Sequence, residues 1–183
     1  MRARLLTLVV AALAGVLAWH AGADSAERGA VQTASSAAAK APGKRAKGLW
    51  ASINKCDTKA FPDTVGVRGS MPGLGAKRPT MASMRFKVQF KRPSDGVWLN
   101  AGPDATSDWK RLGTVTRAVV ESGQDFTFEP PATGEHVLRG VVEFRWSRGG
   151  AIVRTKRRVT TAGHPASAGG DPKGFSAATC AIS

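Results

Sequence analysis

The chain has 183 residues, with 27 Lys and Arg against 13 Asp and Glu, a formal net charge of +14, two cysteines and no tyrosine. That length suits one domain with a real core better than two. The charge points toward polyanionic partners, with an attraction that ordinary salt partly screens.

The first residues, "MRARLLTLVVAALAGVLAWHAGADSA", place Arg2 and Arg4 before an apolar run from Leu5 to Ala18, followed by Ala21-Gly22-Ala23. This is the layout of a secretory signal peptide. The apolar run is 14 residues long, and a bilayer span needs roughly 20. Cleavage is expected after Ala23, with Ala26 as the alternative, so residues 1–23 are read as a signal peptide. A lipid anchor would need a cysteine at the end of this segment, and the first cysteine is Cys56. The expected location is therefore secreted or at the cell envelope. Losing Arg2 and Arg4 from the 27 cations, against 13 acids, leaves a net charge of +12.

Residues 24–48, "DSAERGAVQTASSAAAKAPGKRAKG", are small and charged with almost nothing to bury, and read as a flexible Ala- and Lys-rich linker. From residue 49 the character changes, and residues 49–183 read as one β domain with a loop-rich C-terminal tail. "LWASINKC" and "TVGVRGS" are the first two strand-like runs. In "MRFKVQFK", Met84, Phe86, Val88 and Phe90 alternate strictly with Arg85, Lys87, Gln89 and Lys91. Period two over eight residues predicts one buried and one wet face. "PSDG" is a turn signal, so "VWLN" is expected to return as the second arm of a hairpin.

Runs at 114–122 and 125–130 are expected as two further strands, and Pro130-Pro131 ends the pattern. In "VVEFRWSRGGAIVRTKRR", Val142, Phe144 and Trp146 share a core face, and Arg148-Gly149-Gly150 turns the chain into a returning strand. No segment after the signal peptide reads as a helix. About seven or eight short strands separated by Gly, Pro, Asp and Ser clusters predict an all-β chain, a single antiparallel β-sandwich. Cys56 and Cys180, an even pair in an exported chain, are expected to form a disulfide.

The order of Cys56, "MRFKVQF", Trp98, Trp109, "VVEFRW", "GAIVRTKRR" and Cys180 resembles small secreted bacterial immunoglobulin-like β-sandwich proteins of the two-cysteine type, whose function is generally unassigned. The resemblance covers roughly residues 50 to 160 and includes no catalytic motif. It implies an immunoglobulin-like sandwich. A long Gly/Pro/Ser insertion before Cys180 departs from the pattern, and with no tyrosine there is no tyrosine corner.

No catalytic, cofactor-binding or metal-ligating set is legible. Past the signal peptide only His136 and His164 remain, neither with a His or Cys partner at metal-ligand spacing. The acids form no paired motif, and Asp95 reads as a turn residue. "SMPGLGAKRPT" places Gly73 and Gly75 before Lys77 but lacks the spacing of a phosphate-cradling loop.

Trp98 and Trp146 fall in the core register, whereas Trp109, in "TSDWKR", is the candidate for an exposed aromatic contact. The candidate polyanion contact is Arg145, Arg148, Arg154, Lys156 and Arg158. Pairing across Arg148-Gly149-Gly150 would set Arg145 facing the neighbourhood of Arg154, with Lys156 and Arg158 continuing on the same side as Arg154 in a one-sided basic stripe. Such a stripe has two uses: protecting an exposed strand from aggregation, and holding a polyanion.

The function expected is that of an exported, non-enzymatic module that contacts an anionic envelope polymer or an extracellular protein. The alternatives are an extracellular hydrolase of cell-wall or polysaccharide substrate, whose carboxylates converge only in three dimensions, and a secreted nucleic-acid-binding protein.

Overall fold

The computed structural model describes residues 48–75 and 79–183. The expected signal peptide and the linker, apart from Gly48, lie outside the described residues, as does Lys77. The strictly alternating run forms the centre of strand β3, Thr80–Lys91, and buries Met84, Phe86 and Val88 as its period requires.

Around it, in chain order, are β1 (Trp50–Thr58), β2 (Phe61–Pro72), β4 (Trp98–Asn100), β5 (Lys110–Val115), β6 (Val119–Thr127), β7 (His136–Arg148), β8 (Ala151–Val159) and β9 (Cys180–Ile182). All strand pairs are antiparallel. One sheet has the order β1-β2-β6; the other has the order β4-β3-β7-β8, with β5 on β3 and β9 on β7. First, second and sixth strands facing third, seventh and eighth is the A-B-E against C-F-G order of an immunoglobulin-like sandwich.

The core lies between the inner faces of the sheets. Ile53, Val65, Val67 and Met71 come from the smaller sheet; Met84, Phe86, Val142, Phe144 and Trp146 come from the larger. The Trp146 indole N–H donates to the Pro72 carbonyl at 2.9 Å, which satisfies the one polar atom that this ring carries inside. Gly140 is required by space: a Cβ there would stand 2.6 Å from Val67 and 2.7 Å from Thr160.

The "PSDG" turn closes as its composition demands. Asp95 accepts from the Val97 amide at 3.1 Å and from Arg92, and Gly96 takes a positive φ of 71°. The Gly149-Gly150 turn has φ of 54° and 83°, the left-handed pair of a two-residue hairpin loop.

Three features differ from the sequence expectation. The break foreseen at residues 123–124 falls instead at residues 116–118, and Gly123 continues within β6. There its missing side chain admits Arg68 of β2, whose Cδ would lie 3.0 Å from a Cβ at that position. β9 is too short, at three residues, to show any period. The tail is also more tightly packed than its composition suggests. Ala177 exchanges two backbone hydrogen bonds with Ile53, and the Asp171 amide donates to the Asn54 carbonyl at 2.8 Å. His164 stacks on Trp50 with ring centroids 4.4 Å apart.

Cys56 and Cys180 form a disulfide across a sequence separation of 124. It ties β1 of one sheet to β9 of the other. The bridge is consistent with an oxidising compartment. Among the described residues no helix is long and apolar enough to cross a membrane.

Candidate functional site

Directly opposed residues in an antiparallel pair share a face of the sheet. Arg148 opposes Ala151 and Ser147 opposes Ile152, but Trp146 opposes Arg154, so Val153 is an extra residue on β8. This bulge moves the register by one position. Arg145 therefore faces Thr155 rather than Arg154, while Arg154, Lys156 and Arg158 face Trp146, Phe144 and Val142.

The expected one-sided stripe is thus divided between two faces. Arg145 lies on the outer face of the larger sheet. Arg154, Lys156 and Arg158 lie on the inner face, where β8 extends beyond the core and all three remain exposed. Arg154 caps the edge of that core, its guanidinium carbon 5.5 Å from the Trp146 ring centroid. Arg157, opposite Glu143, points to the outer side.

β8 ends the strand order of its sheet, and Ala151 through Arg158 are exposed. Among the described residues the ion pairs are Lys55–Asp125, Arg85–Glu143, Lys87–Glu143 and Arg92–Asp95. Among the described residues no carboxylate forms an ion pair with Arg154, Lys156, Arg157 or Arg158. Alternate residues on such a strand recur about every 6.8 Å. A chain of anions laid along the edge would meet cations from both faces.

The outer face of the larger sheet binds its charges internally. Between β4 and β5 the chain runs beside β3, with the Ser107 amide donating to the Phe86 carbonyl at 2.8 Å. That path brings Trp109 up beside Arg85. The Arg145 guanidinium lies 3.7 Å from the Trp109 ring centroid and that of Arg85 4.9 Å, so Trp109 is half-buried between two arginines.

Glu143 accepts from Arg85 at 2.6 and 2.8 Å and pairs with Lys87 at 2.8 Å. Trp98 departs from the expected core position. It opposes Lys91, on the outward face of β3, and lies half-buried under Arg139 at 4.2 Å. The signal for this was present in the turn: closing "PSDG" as a hairpin fixes Trp98 opposite a wet residue.

The Glu143 carboxyl is held below its ordinary value of 4.5: burial pushes it up, but hydrogen bonds from Lys87 and Arg85 outweigh that and bring it down. A carboxyl lowered by folding stabilises the fold above its unfolded value, and that stability is lost as pH falls through the folded value. Glu143→Gln is expected to lower stability at pH 7 by about 1 kcal/mol. It should also flatten the acid limb of the curve below pH ~4.5, measured by urea unfolding at a series of pH values. An acid limb identical to that of the wild type would count against the assignment. Arg139 is shifted down by burial and by the neighbouring Arg157.

Two further recesses adjoin one another. One, of about 320 Å³, is lined by Asn54, Lys55, Arg68, Lys110 and Asp125 together with Gly123 and Gly169. The other, of about 510 Å³, holds Asp104, Asp108 and Asp125 beside Thr106 and Ser107. Sequence reading missed the first because its cations come from β1, β2 and β5, with no common motif. Among the described residues no group of three or more His, Cys, Asp or Glu stands close enough to hold a metal ion. His164 is lowered by burial, against a raising influence from Glu121, and its ring is engaged by Trp50 and by Thr161 at 3.3 Å.

No family model, curated protein or solved structure matches the chain. The chemistry of the site therefore rests on its own geometry.

Proposed function

We propose that this protein is an exported, non-enzymatic immunoglobulin-like module that holds an anionic envelope polymer along strand β8. The observation that carries this reading is the run Arg154, Lys156, Arg157 and Arg158, four exposed cations with no carboxylate partner among the described residues. On the outer face of β3 and β7, by contrast, Arg85 and Lys87 pair with Glu143, and Arg139 and Arg145 lie over tryptophans. Those of β8 are available to a partner. Trp109 lies on the other face, where it seats Arg145 and Arg85 and takes no part in this contact.

An acidic extracellular protein would use the same cations. Nucleic acid would also meet them, but the edge carries no aromatic side chain on which bases could stack. The salt dependence of retention on immobilised poly(glycerol phosphate) tests the reading. Four phosphate contacts, each contributing a slope of roughly 0.7–0.9, should make affinity fall about 50- to 150-fold between 50 and 200 mM salt. Retention that does not change with salt would leave the cations as guards of an open strand edge.

A second reading, an extracellular hydrolase, draws on Asp104, Asp108 and Asp125 in one groove close to Trp109. All three are exposed, and Asp125 is tied to Lys55 at 2.6 Å. A general acid instead calls for a carboxyl shielded from water and cations. The binding module is the better supported of the two.

A further inference from the structure

The outer face of the smaller sheet carries a recess that the β8 contact does not use. Gly123 lines it without a side chain, and a Cβ there would stand 3.2 Å from a terminal nitrogen of Arg68. Its wall is the tail, fixed by the Asn54 side-chain amide, which donates to the carbonyls of Ala168 and Gly169 at 3.1 and 2.9 Å.

Three cations converge there, and two of them have work already. Lys55 is paired with Asp125 and covers the Phe61 ring at 3.8 Å, while Lys110 donates to the Gly123 carbonyl at 2.8 Å. Arg68 is different. Its Nε is buried and has no hydrogen-bond partner. A buried donor on a charged group is costly to leave unsatisfied, and a guanidinium fork is shaped to give two parallel hydrogen bonds to an oxyanion. With Asp125 counted, the recess has a net charge of +2, which suits a doubly charged group better than a single carboxylate.

The recess is larger than one such group needs. Lys110, Gln124 and Asp125 line both it and the neighbouring groove, where Asp104, Thr106, Ser107 and Asp108 present oxygen atoms. Carboxylates and hydroxyls in a row accept hydrogen bonds from a hydroxyl-bearing body. We propose that this double recess binds a phosphate or sulfate ester of a sugar, with the ester on Arg68 and Lys110 and the sugar hydroxyls over Asp104 and Asp108.

The two ester sources share one chemistry and are separated by using both as probes. Amide resonances of the purified chain would be followed during titration with glucose 6-phosphate, glucose 6-sulfate, inorganic phosphate and glucose. At least one ester is expected to give saturable shifts centred on Gly123 and Gly169, with affinity about tenfold or more above inorganic phosphate or glucose alone. Arg68→Gln should weaken that ester at least tenfold, and Asp108→Asn should weaken the ester while leaving inorganic phosphate unchanged. Should Arg68→Gln fail to fold, Lys110→Gln carries the same expectation. Charge reversal on β8 should leave these shifts in place, which separates this site from the polymer contact. Shifts gathered on β8, an ester no tighter than inorganic phosphate, or binding indifferent to both cation substitutions would overturn the proposal.

Discussion

Reversing Arg154, Lys156, Arg157 and Arg158 to glutamate is expected to reduce affinity for poly(glycerol phosphate) by about 100-fold or more at 100 mM salt and to remove most of the salt dependence. Each cation that releases a condensed counterion contributes its share of the slope, so four lost contacts cost more than any single aromatic deletion. The fold should survive, because all four side chains are exposed on the last strand of the sheet and none forms an ion pair within the described residues. Circular dichroism of the variant checks this. Arg145→Glu is the internal control: its guanidinium lies over Trp109 on the other face, so its reversal should cost stability more than polymer affinity. If the quadruple variant keeps wild-type retention and slope, the polyanion reading of β8 fails.

The second large effect concerns the disulfide. Cys56 and Cys180 close a loop spanning a separation of 124 residues, and removing such a link restores roughly 5 kcal/mol of unfolded-state entropy. Against a typical total of about 5–15 kcal/mol, that loss is severe. Cys56→Ser with Cys180→Ser is expected to lower the melting temperature by more than about 10 °C. The region around the bridge should loosen first. β9 has three residues and pairs only with the start of β7, from His136 to Leu138. Hydrogen exchange at Ala181 and Ile182 should therefore rise well before exchange at Met84 or Phe86. A double variant as stable as the wild type, with β9 still protected, would show that hydrogen bonds from the tail to β1 suffice to hold the sheets together.

The β-sandwich was legible because its signals are local. Period two in "MRFKVQFK", the "PSDG" turn and the Gly149-Gly150 hairpin each follow from the stereochemistry of a few neighbouring residues. The β5–β6 boundary was not, because a glycine inside a strand and a glycine ending one read alike. Only the approach of Arg68 distinguishes Gly123 as the former. The recess around Arg68 was likewise invisible, since Asn54, Arg68, Lys110 and Gly169 are brought together by two strand pairings and a docked tail.

The amino-acid sequence by itself determined the excess of cations, which strands alternate, and which two cysteines are there to pair. Tertiary structure decided which way those cations point. One extra residue at Val153 separates Arg145 from Arg154, because a side-chain period of two turns any single-residue shift in register into a change of face. The same physics that makes a strand easy to recognise leaves the side it presents to a partner undetermined until its neighbour is in place.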